Sequence, residues 1–391
     1  MENQTYDVII VGAGILGIAH AFHSLKAGLK VALFERNSYP QDASVRNFGQ
    51  VVPSGFGTKW QRFGRTSLDI YKAIQAEIDI TVRQEGSIYL ANTEDELTLL
   101  DELAEINVYN DYPSVRLTKE KCLSRYSGFR SSYVKGGLYF PGEIIVDPRQ
   151  AASKIIQYLA SKFELAYFPR NLIREVSNSN GTVEVINSRS EKYFAQKVFI
   201  CSGNEFQTLF PEVFADSGIQ IVKLQMLETV PQPHLKIRGS VLTGRTIRRY
   251  ESFQECPSYA AIKAKENVQA YHNKKGIHIL LKQSPSGSMI LGDSHEYTSV
   301  QTPEELSFDI DNEINCFMLG QTQQIFDLED WRIKQSWLGY YCQHPHRDIF
   351  NHTINEHIHI VTAIGGKGMT GAFGYALENT HNILSLKLNA L

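Results

Sequence analysis

Val8-Ile9-Ile10-Val11-Gly12-Ala13-Gly14-Ile15-Leu16-Gly17 is the stretch that decides the fold of this 391-residue chain. Four consecutive apolar residues suit a short parallel strand buried on both faces. The G-x-G-x-x-G that follows at once gives each glycine a task. Gly12 permits a tight turn, Gly14 lets a diphosphate approach the backbone, and Gly17 lets the next helix pack closely on the strand. Residues 18–27 read as that helix, closed by Gly28. Lys30-Val31-Ala32-Leu33-Phe34 reads as a second strand, and it ends in Glu35. The helix start offers unpaired N–H groups and partial positive charge to a diphosphate. Glu35 stands where a carboxylate accepts ribose hydroxyls. The unit therefore predicts a Rossmann-type α/β fold built around a dinucleotide, with FAD and NAD both compatible with this fingerprint.

Composition narrows the class further. Lys and Arg number 39 against 42 Asp and Glu, a net charge of −3, which argues against a nucleic-acid partner. With 19 Tyr, 20 Phe and 3 Trp the chain has ample material for a folded core. Cys122, Cys201, Cys256, Cys316 and Cys342 are odd in number and never spaced C-x-x-C, so neither a disulfide framework nor a zinc site is expected. His278 and His295 lack metal-ligand spacing and read as a strand histidine and a loop histidine; no metal is expected. The apolar start carries Glu2 and Asp7 and is interrupted by Gly12, Gly14 and Gly17, unlike an export signal. No stretch is apolar for long enough to span a bilayer. A cytoplasmic protein without a membrane partner is expected.

Four further segments carry a family resemblance: Ser44-Val45-Arg46-Asn47-Phe48-Gly49, Gly142-Glu143-Ile144-Ile145-Val146-Asp147-Pro148-Arg149, Val198-Phe199-Ile200-Cys201-Ser202-Gly203 and Gly365-Gly366-Lys367-Gly368-Met369-Thr370-Gly371. In this order, and with the fingerprint, the chain resembles the D-amino-acid oxidase, glycine oxidase and sarcosine oxidase family of flavoproteins. The resemblance implies FAD. It implies contacts from Gly12, Gly14, Ile15, Leu16 and Gly17, from Glu35 and Arg36, and from Ser44, Arg46, Asn47, Phe48 and Gly49 along the diphosphate toward the flavin ring. Ile173, Ser202 and Gly203 belong to the same implied set, as do Gly366, Lys367, Gly368, Met369 and Thr370 in the C-terminal glycine-rich loop. Sarcosine oxidases of this family tether FAD through a cysteine; here Gly339 falls at that position, so FAD is expected to be non-covalent. Within the family, the wording of residues 44–49, 292–297 and 365–370 resembles a bacterial subgroup linked with aminophosphonate breakdown.

The same resemblance implies a discontinuous organisation. Residues 1–80, 143–205 and 331–391 would form the FAD-binding domain, and 81–142 and 206–330 a mainly antiparallel β-sheet substrate domain, so that the fold is α/β, or α+β overall. Residues 83–91, 223–229, 276–282 and 288–292 read as strands of the second domain, and the acidic run 94–105 as a helix with a solvated face.

A family oxidoreductase of this kind oxidises the C–N bond of a small anionic amine by hydride transfer to flavin, with O2 or another acceptor reoxidising it. The amine must react as the free base, and no catalytic base is obligatory. A cation must hold the anionic end of the substrate: Arg46 and Lys367 are the candidates, with Tyr340 or Tyr341 orienting it. His344, His346 and Arg347, and the cluster Arg245, Arg248 and Arg249, read as solvated surface groups. The substrate expected is an aminophosphonate, 2-aminoethylphosphonate or its N-methyl form. The alternatives are a glycine, sarcosine or D-amino-acid oxidase, a quinone-linked dehydrogenase, a non-catalytic flavin-binding subunit and an NAD-dependent oxidoreductase. Oligomeric state is left open.

Overall fold

β1 (Gln4–Val11) forms the centre of an eight-stranded sheet in the computed structural model, which describes residues 4–385. The outermost residues of the expected nucleotide-binding segments, 1–3 and 386–391, lie outside that range. Val8, Ile9 and Ile10 are fully buried, as a central parallel strand requires. β1 pairs in parallel with β2 (Val31–Phe34) on one side and with Lys192–Ile200 on the other. Ile358–Thr362 extends the parallel set beyond Lys192–Ile200, and Ala166–Phe168 extends it beyond β2. Antiparallel pairing appears only at the margins, in Phe350–Asn355 and in the strands Ile173–Ser179 and Thr182–Asn187.

α1 (Ile15–Lys26) starts at the glycine turn and lies against the sheet with the helices Pro148–Phe163 and Gly368–Leu384. The apolar faces of these elements form one continuous core that includes Ile18, Leu33, Ile155 and Phe373. Pro148 opens its helix at the first position and Asp147 caps it, the carboxylate accepting from Arg149 N at 3.0 Å. A second apolar layer, with Phe34, Val185, Val198 and Phe214, covers the opposite face of the sheet.

A nine-stranded sheet makes up the other half of the molecule, and its longest strand is Gln220–Pro231. All its pairings are antiparallel except that of Ser240–Leu242 with Ser87–Ala91. The expected hairpin is present as Leu280–Gln283 and Ser288–Gly292, with residues 276–279 left as an irregular approach. Ile333–Gln343 pairs along almost all of Gln220–Pro231. The sequence reading grouped that stretch with the nucleotide-binding segments, but its hydrogen bonds place it in the antiparallel sheet. The acidic helix runs Glu94–Tyr109 and begins with a reciprocal cap between Thr93 and Glu96. Glu96 is buried, not solvated, because Arg248 Nε reaches its carboxylate at 3.1 Å.

Glu143 sits where the two halves meet. It is fully buried and accepts hydrogen bonds from Ser54 N at 2.8 Å, from Tyr112 hydroxyl at 2.9 Å and from Ser87 hydroxyl. Burial outweighs these bonds and pushes its carboxyl up to about 7 from an ordinary 4.5. A raised carboxyl pKa favours the protonated form in the fold. Its stabilising contribution is therefore complete below the ordinary value and is lost as pH rises through about 7. A shift of this size corresponds to roughly 3 kcal/mol. Glu143→Gln cannot ionise, so the stability of the wild type relative to this variant should fall by about that amount between about pH 5 and about pH 8. Urea unfolding at the two pH values measures it; a pH-independent difference would show that Glu143 does not titrate in this window.

Candidate active site

The carboxyl ends of four adjacent parallel strands open into one large cavity. Val11 leads to Gly12, Phe34 to Glu35, Ile200 to Cys201 and Ser202, and Thr362 to Ala363, and all of these residues except Ile200 line it. In open α/β sheets this edge is where ligands bind. The turn itself is built tightly. Gly12 adopts φ +100, and a β-carbon there would lie 2.3 Å from Cys201 O. One on Gly17 would lie 1.9 Å from Gly12 O, which is why that residue serves packing and does not line the cavity.

Around the turn, polar groups are already oriented. Glu35 accepts from Ala13 N at 3.2 Å and from Asn37 N at 2.8 Å, so its carboxylate is fixed against the glycine turn. Ser44 hydroxyl accepts from Ile15 N at 2.9 Å at the start of α1. Asn47 holds its own loop, donating to Ala43 O at 2.8 Å and accepting from Gly49 N at 2.7 Å. Thr370 hydroxyl receives Val52 N at 3.1 Å and donates to Gln50 O at 3.4 Å, which ties the start of the last helix to the strand Gln50–Val51. Gln50 Nε2 and Asn171 Oδ1 are buried on the cavity wall and have no hydrogen-bond partner in the protein. Such groups are costly unless a polar ligand satisfies them. With the glycine turn, these orphaned atoms fit a bound dinucleotide.

Apart from Gly17, every residue that the sequence reading assigned to the cofactor lines this cavity, from Gly14, Ile15 and Leu16 through Arg36, Phe48 and Ile173 to Gly203, Gly366, Lys367, Gly368 and Met369. The substrate candidates Arg46, Lys367, Tyr340 and Tyr341 also line it, and the first three are otherwise engaged. Arg46 donates through Nε to Gln41 O at 2.6 Å and through Nη1 to Leu338 O at 3.2 Å. Lys367 Nζ lies 2.5 Å from Glu251 and 3.6 Å from Asp348, so two carboxylates already balance its charge. Tyr340 hydroxyl donates to Ser307 O at 3.3 Å. His346 and Arg347 are exposed and lie outside the lining, as a solvated turn does.

The cation that the sequence reading missed is Arg249. Arg245 and Arg248 turn toward Gln321 and Glu96, but Arg249 lines the cavity instead of facing bulk solvent. Its Nη1 donates to Gly276 O at 3.2 Å and its Nη2 to Tyr297 hydroxyl at 3.0 Å. Burial works against its charge, but Tyr297, Tyr341 and Asp293 outweigh that and hold it cationic. Tyr250, His278, Asp293 and His295 share the same wall. His278 Nε2 is 2.8 Å and His295 Nε2 is 3.8 Å from opposite oxygens of Asp293, and each residue brings one polar atom within 4.8 Å of the others. The two histidines are thus one cluster, joined by the hairpin that sets His278 N on Asp293 O at 3.1 Å, and not the separate residues their spacing implied. Burial opposes ionisation of Asp293, but His295, His278 and Arg249 prevail and hold its carboxyl below the ordinary range. Lys282 stands just outside the cavity wall: its Nζ donates to Val146 O at 2.7 Å against Gly49, and burial pushes it down to about 8.

Comparison with known proteins agrees with this architecture. The family model described as FAD dependent oxidoreductase (DAO) matches residues 7–380. A glycerol 3-phosphate dehydrogenase from Caloramator mitchellensis is 23% identical over 74% of this chain and 56% of its own length. A glycine oxidase from Geobacillus kaustophilus is 28% identical over 51% of this chain and 54% of its own length. The chain thus spans a little over half the length of these curated relatives. The crystal structure of glycine oxidase from Geobacillus kaustophilus superposes with a TM-score of 0.76 at 18% identity, covering 98% of this chain and 96% of that one. L-amino acid deaminase from Proteus vulgaris superposes with a TM-score of 0.77 at 15% identity, covering 100% and 96%. Among the described residues, no helix is long and apolar enough to cross a membrane.

Proposed function

The chain belongs to the family of FAD-dependent oxidoreductases, and on that premise we propose that it oxidises the C–N bond of a small amine carrying an anionic group. FAD, when bound, supplies the two-electron acceptor. The observation that carries the reading is the pairing of Arg249 and Asp293 on one wall of the cavity whose other walls are the glycine turn, Glu35 and the 365–370 loop. A half-buried cation beside a buried anion matches a zwitterion, and the ligand's opposite charges answer both. Arg249 has five N–H groups, of which two are committed inside the protein, and the rest are available to an oxyanion. The substrate amine, once free of its extra proton, can donate its lone pair to the carbon that loses hydride. Water then hydrolyses the imine, and O2 or a second acceptor takes the electrons onward.

Among anionic amines, an aminophosphonate such as 2-aminoethylphosphonate or its N-methyl form is the favoured substrate. A tetrahedral oxyanion accepts more hydrogen bonds than a carboxylate, and Arg249, Tyr250 and Tyr341 together offer more donors than a carboxylate needs. The relative named for glycerol 3-phosphate supports a phosphorus oxyanion as the anionic group and supplies the second reading, oxidation of a phosphorylated alcohol. Anaerobic mixing of the holoprotein with glycine, sarcosine, the two aminophosphonates and glycerol 3-phosphate decides among them. Bleaching of the flavin band by an aminophosphonate alone is the expected result. Bleaching by glycine or sarcosine would make the protein an amino-acid oxidase, and bleaching by glycerol 3-phosphate would establish the second reading. No bleaching by any amine would overturn amine oxidation and favour a flavin-binding subunit.

FAD is proposed to be held without a covalent bond. Gly339 has no side chain to form one, and the nearby Cys342 is buried with its thiol donating to Gly203 O at 3.2 Å. Burial pushes that thiol up to about 11, far from the thiolate that a tether would need. Acid precipitation should therefore release all the yellow colour into the supernatant; colour retained in the pellet would overturn this.

A further inference from the structure

We propose that Asp293 and His295 form the subsite that receives the substrate ammonium and takes its proton, with His278 fixing the carboxylate between them. The proposal rests on the reading of the substrate as an anionic amine and adds a base, which amine oxidation on a flavin does not by itself demand.

His295 Nδ1 lies 3.0 Å from Gly276 O, and a carbonyl can only accept, so the ring hydrogen is on Nδ1. Neutral His295 therefore turns a lone pair at Nε2 toward Asp293 Oδ2, 3.8 Å away. Two acceptors face each other across a gap, with no hydrogen between them. His278 Nε2 lies 2.8 Å from the other carboxylate oxygen, Asp293 Oδ1, and holds the buried carboxylate in place. Two lone-pair sites, His295 Nε2 and Asp293 Oδ2, thus converge on the cavity wall, and an ammonium group supplies the N–H donors they lack.

Charge sets the sequence of events. The groups that face His295 are Arg249, His278, Asp293 and the rings of Tyr297 and Tyr341. Burial and then Arg249 push its imidazole down to about 3, and only Asp293 and the Gly276 bond oppose them appreciably. His295 is therefore neutral before substrate arrives. A substrate oxyanion bound at Arg249 cancels the second of those causes, while Asp293 remains to stabilise a positive ring. Binding of the anionic end thereby makes His295 more basic as the ammonium reaches it. In the step, one N–H bond of the ammonium breaks, a hydrogen forms its bond to His295 Nε2, and the electron pair stays on the substrate nitrogen as its lone pair. The resulting imidazolium faces the Asp293 carboxylate.

The test uses the FAD-loaded protein with wild-type flavin content in each variant, and follows anaerobic flavin reduction by the amine that reduces the wild type. Asp293→Asn and His295→Gln should each slow reduction by about 100-fold or more near neutral pH, the usual range for a positioned base. The loss should shrink to within about tenfold above the solution pKa of the amine, where the substrate arrives already neutral. A merely structural role would lower the rate equally across pH, and that result, or wild-type rates in both variants, would overturn the proposal. Stoichiometric divalent metal in the purified holoprotein, with loss of reduction on chelation, would overturn it in favour of a His–Asp–His metal site. If no amine reduces the wild type, it is the substrate reading that has failed.

Discussion

Gly12→Val should purify colourless, with FAD affinity weakened by more than about 100-fold. Two effects combine. The residue occupies φ +100, a region that a β-branched side chain strongly resists, and the first carbon of that side chain would stand 2.3 Å from Cys201 O. Either the turn opens or the strand Lys192–Ile200 moves away from β1, and both displace the N–H groups at the start of α1. A cost of roughly 3 kcal/mol on the holo form would account for the stated change in affinity. Gly14→Ala separates strain from access, because its new carbon would meet only Ser44 hydroxyl at 3.2 Å. That variant should melt near the wild-type apoprotein yet bind FAD poorly. Fluorescence titration of apoprotein with FAD and thermal melts measure both quantities. Wild-type flavin content in Gly12→Val would show that this turn does not hold the nucleotide.

Arg249→Met should lower the second-order rate constant for flavin reduction by about 10²–10³, the effect of stranding a buried charge and losing the anion clamp. Methionine keeps the length and apolar stem while removing the charge. The change should appear chiefly as a raised Kd for substrate, with FAD content unchanged. Lys367→Met and Tyr340→Phe are the informative contrasts. Lys367 is already paired with Glu251 and Asp348, and the Tyr340 hydroxyl is spent on Ser307 O, so each should cost less than about tenfold. Stopped-flow reduction across a substrate series provides the comparison. A larger loss in Lys367→Met than in Arg249→Met would move the anion clamp to the C-terminal loop.

The contrast between Arg249 and Lys367 also shows where the sequence is readable. The nucleotide half is legible because its chemistry is local: a strand, a glycine turn and a helix start lie within a short run, and backbone N–H groups do the binding. Nearly all the cofactor residues read from such motifs line the cavity. The substrate wall is assembled from residues that are distant in sequence. Arg249 sits in a run of three arginines that reads as surface, and only the fold turns one of them inward while Gln321 and Glu96 take the others. His278 and Asp293 are brought together by a hairpin, and Asp293 carries no spacing that marks it alone. A short D-x-H segment at the end of a strand, Asp293-Ser294-His295, was the one available sign. Strand Ile333–Gln343 was misplaced for a related reason: its tyrosines and cysteine fit either sheet, and the choice is made by pairing with Gln220–Pro231.

The last helix closes the nucleotide site from the far end of the chain. Thr370 hydroxyl bonds the strand Gln50–Val51, His23 reaches Phe373 O at 2.8 Å, and Asn379 meets His20 at 3.0 Å. During synthesis these partners leave the ribosome far apart in time. The glycine turn emerges early, yet the loop that completes its cavity follows some 350 residues later, a delay of roughly 20–70 s at ordinary elongation rates. Through that interval the part of α1 that packs on the last helix stays uncovered. A nascent chain of this protein should therefore need shielding by a chaperone, and it can load its cofactor only after release.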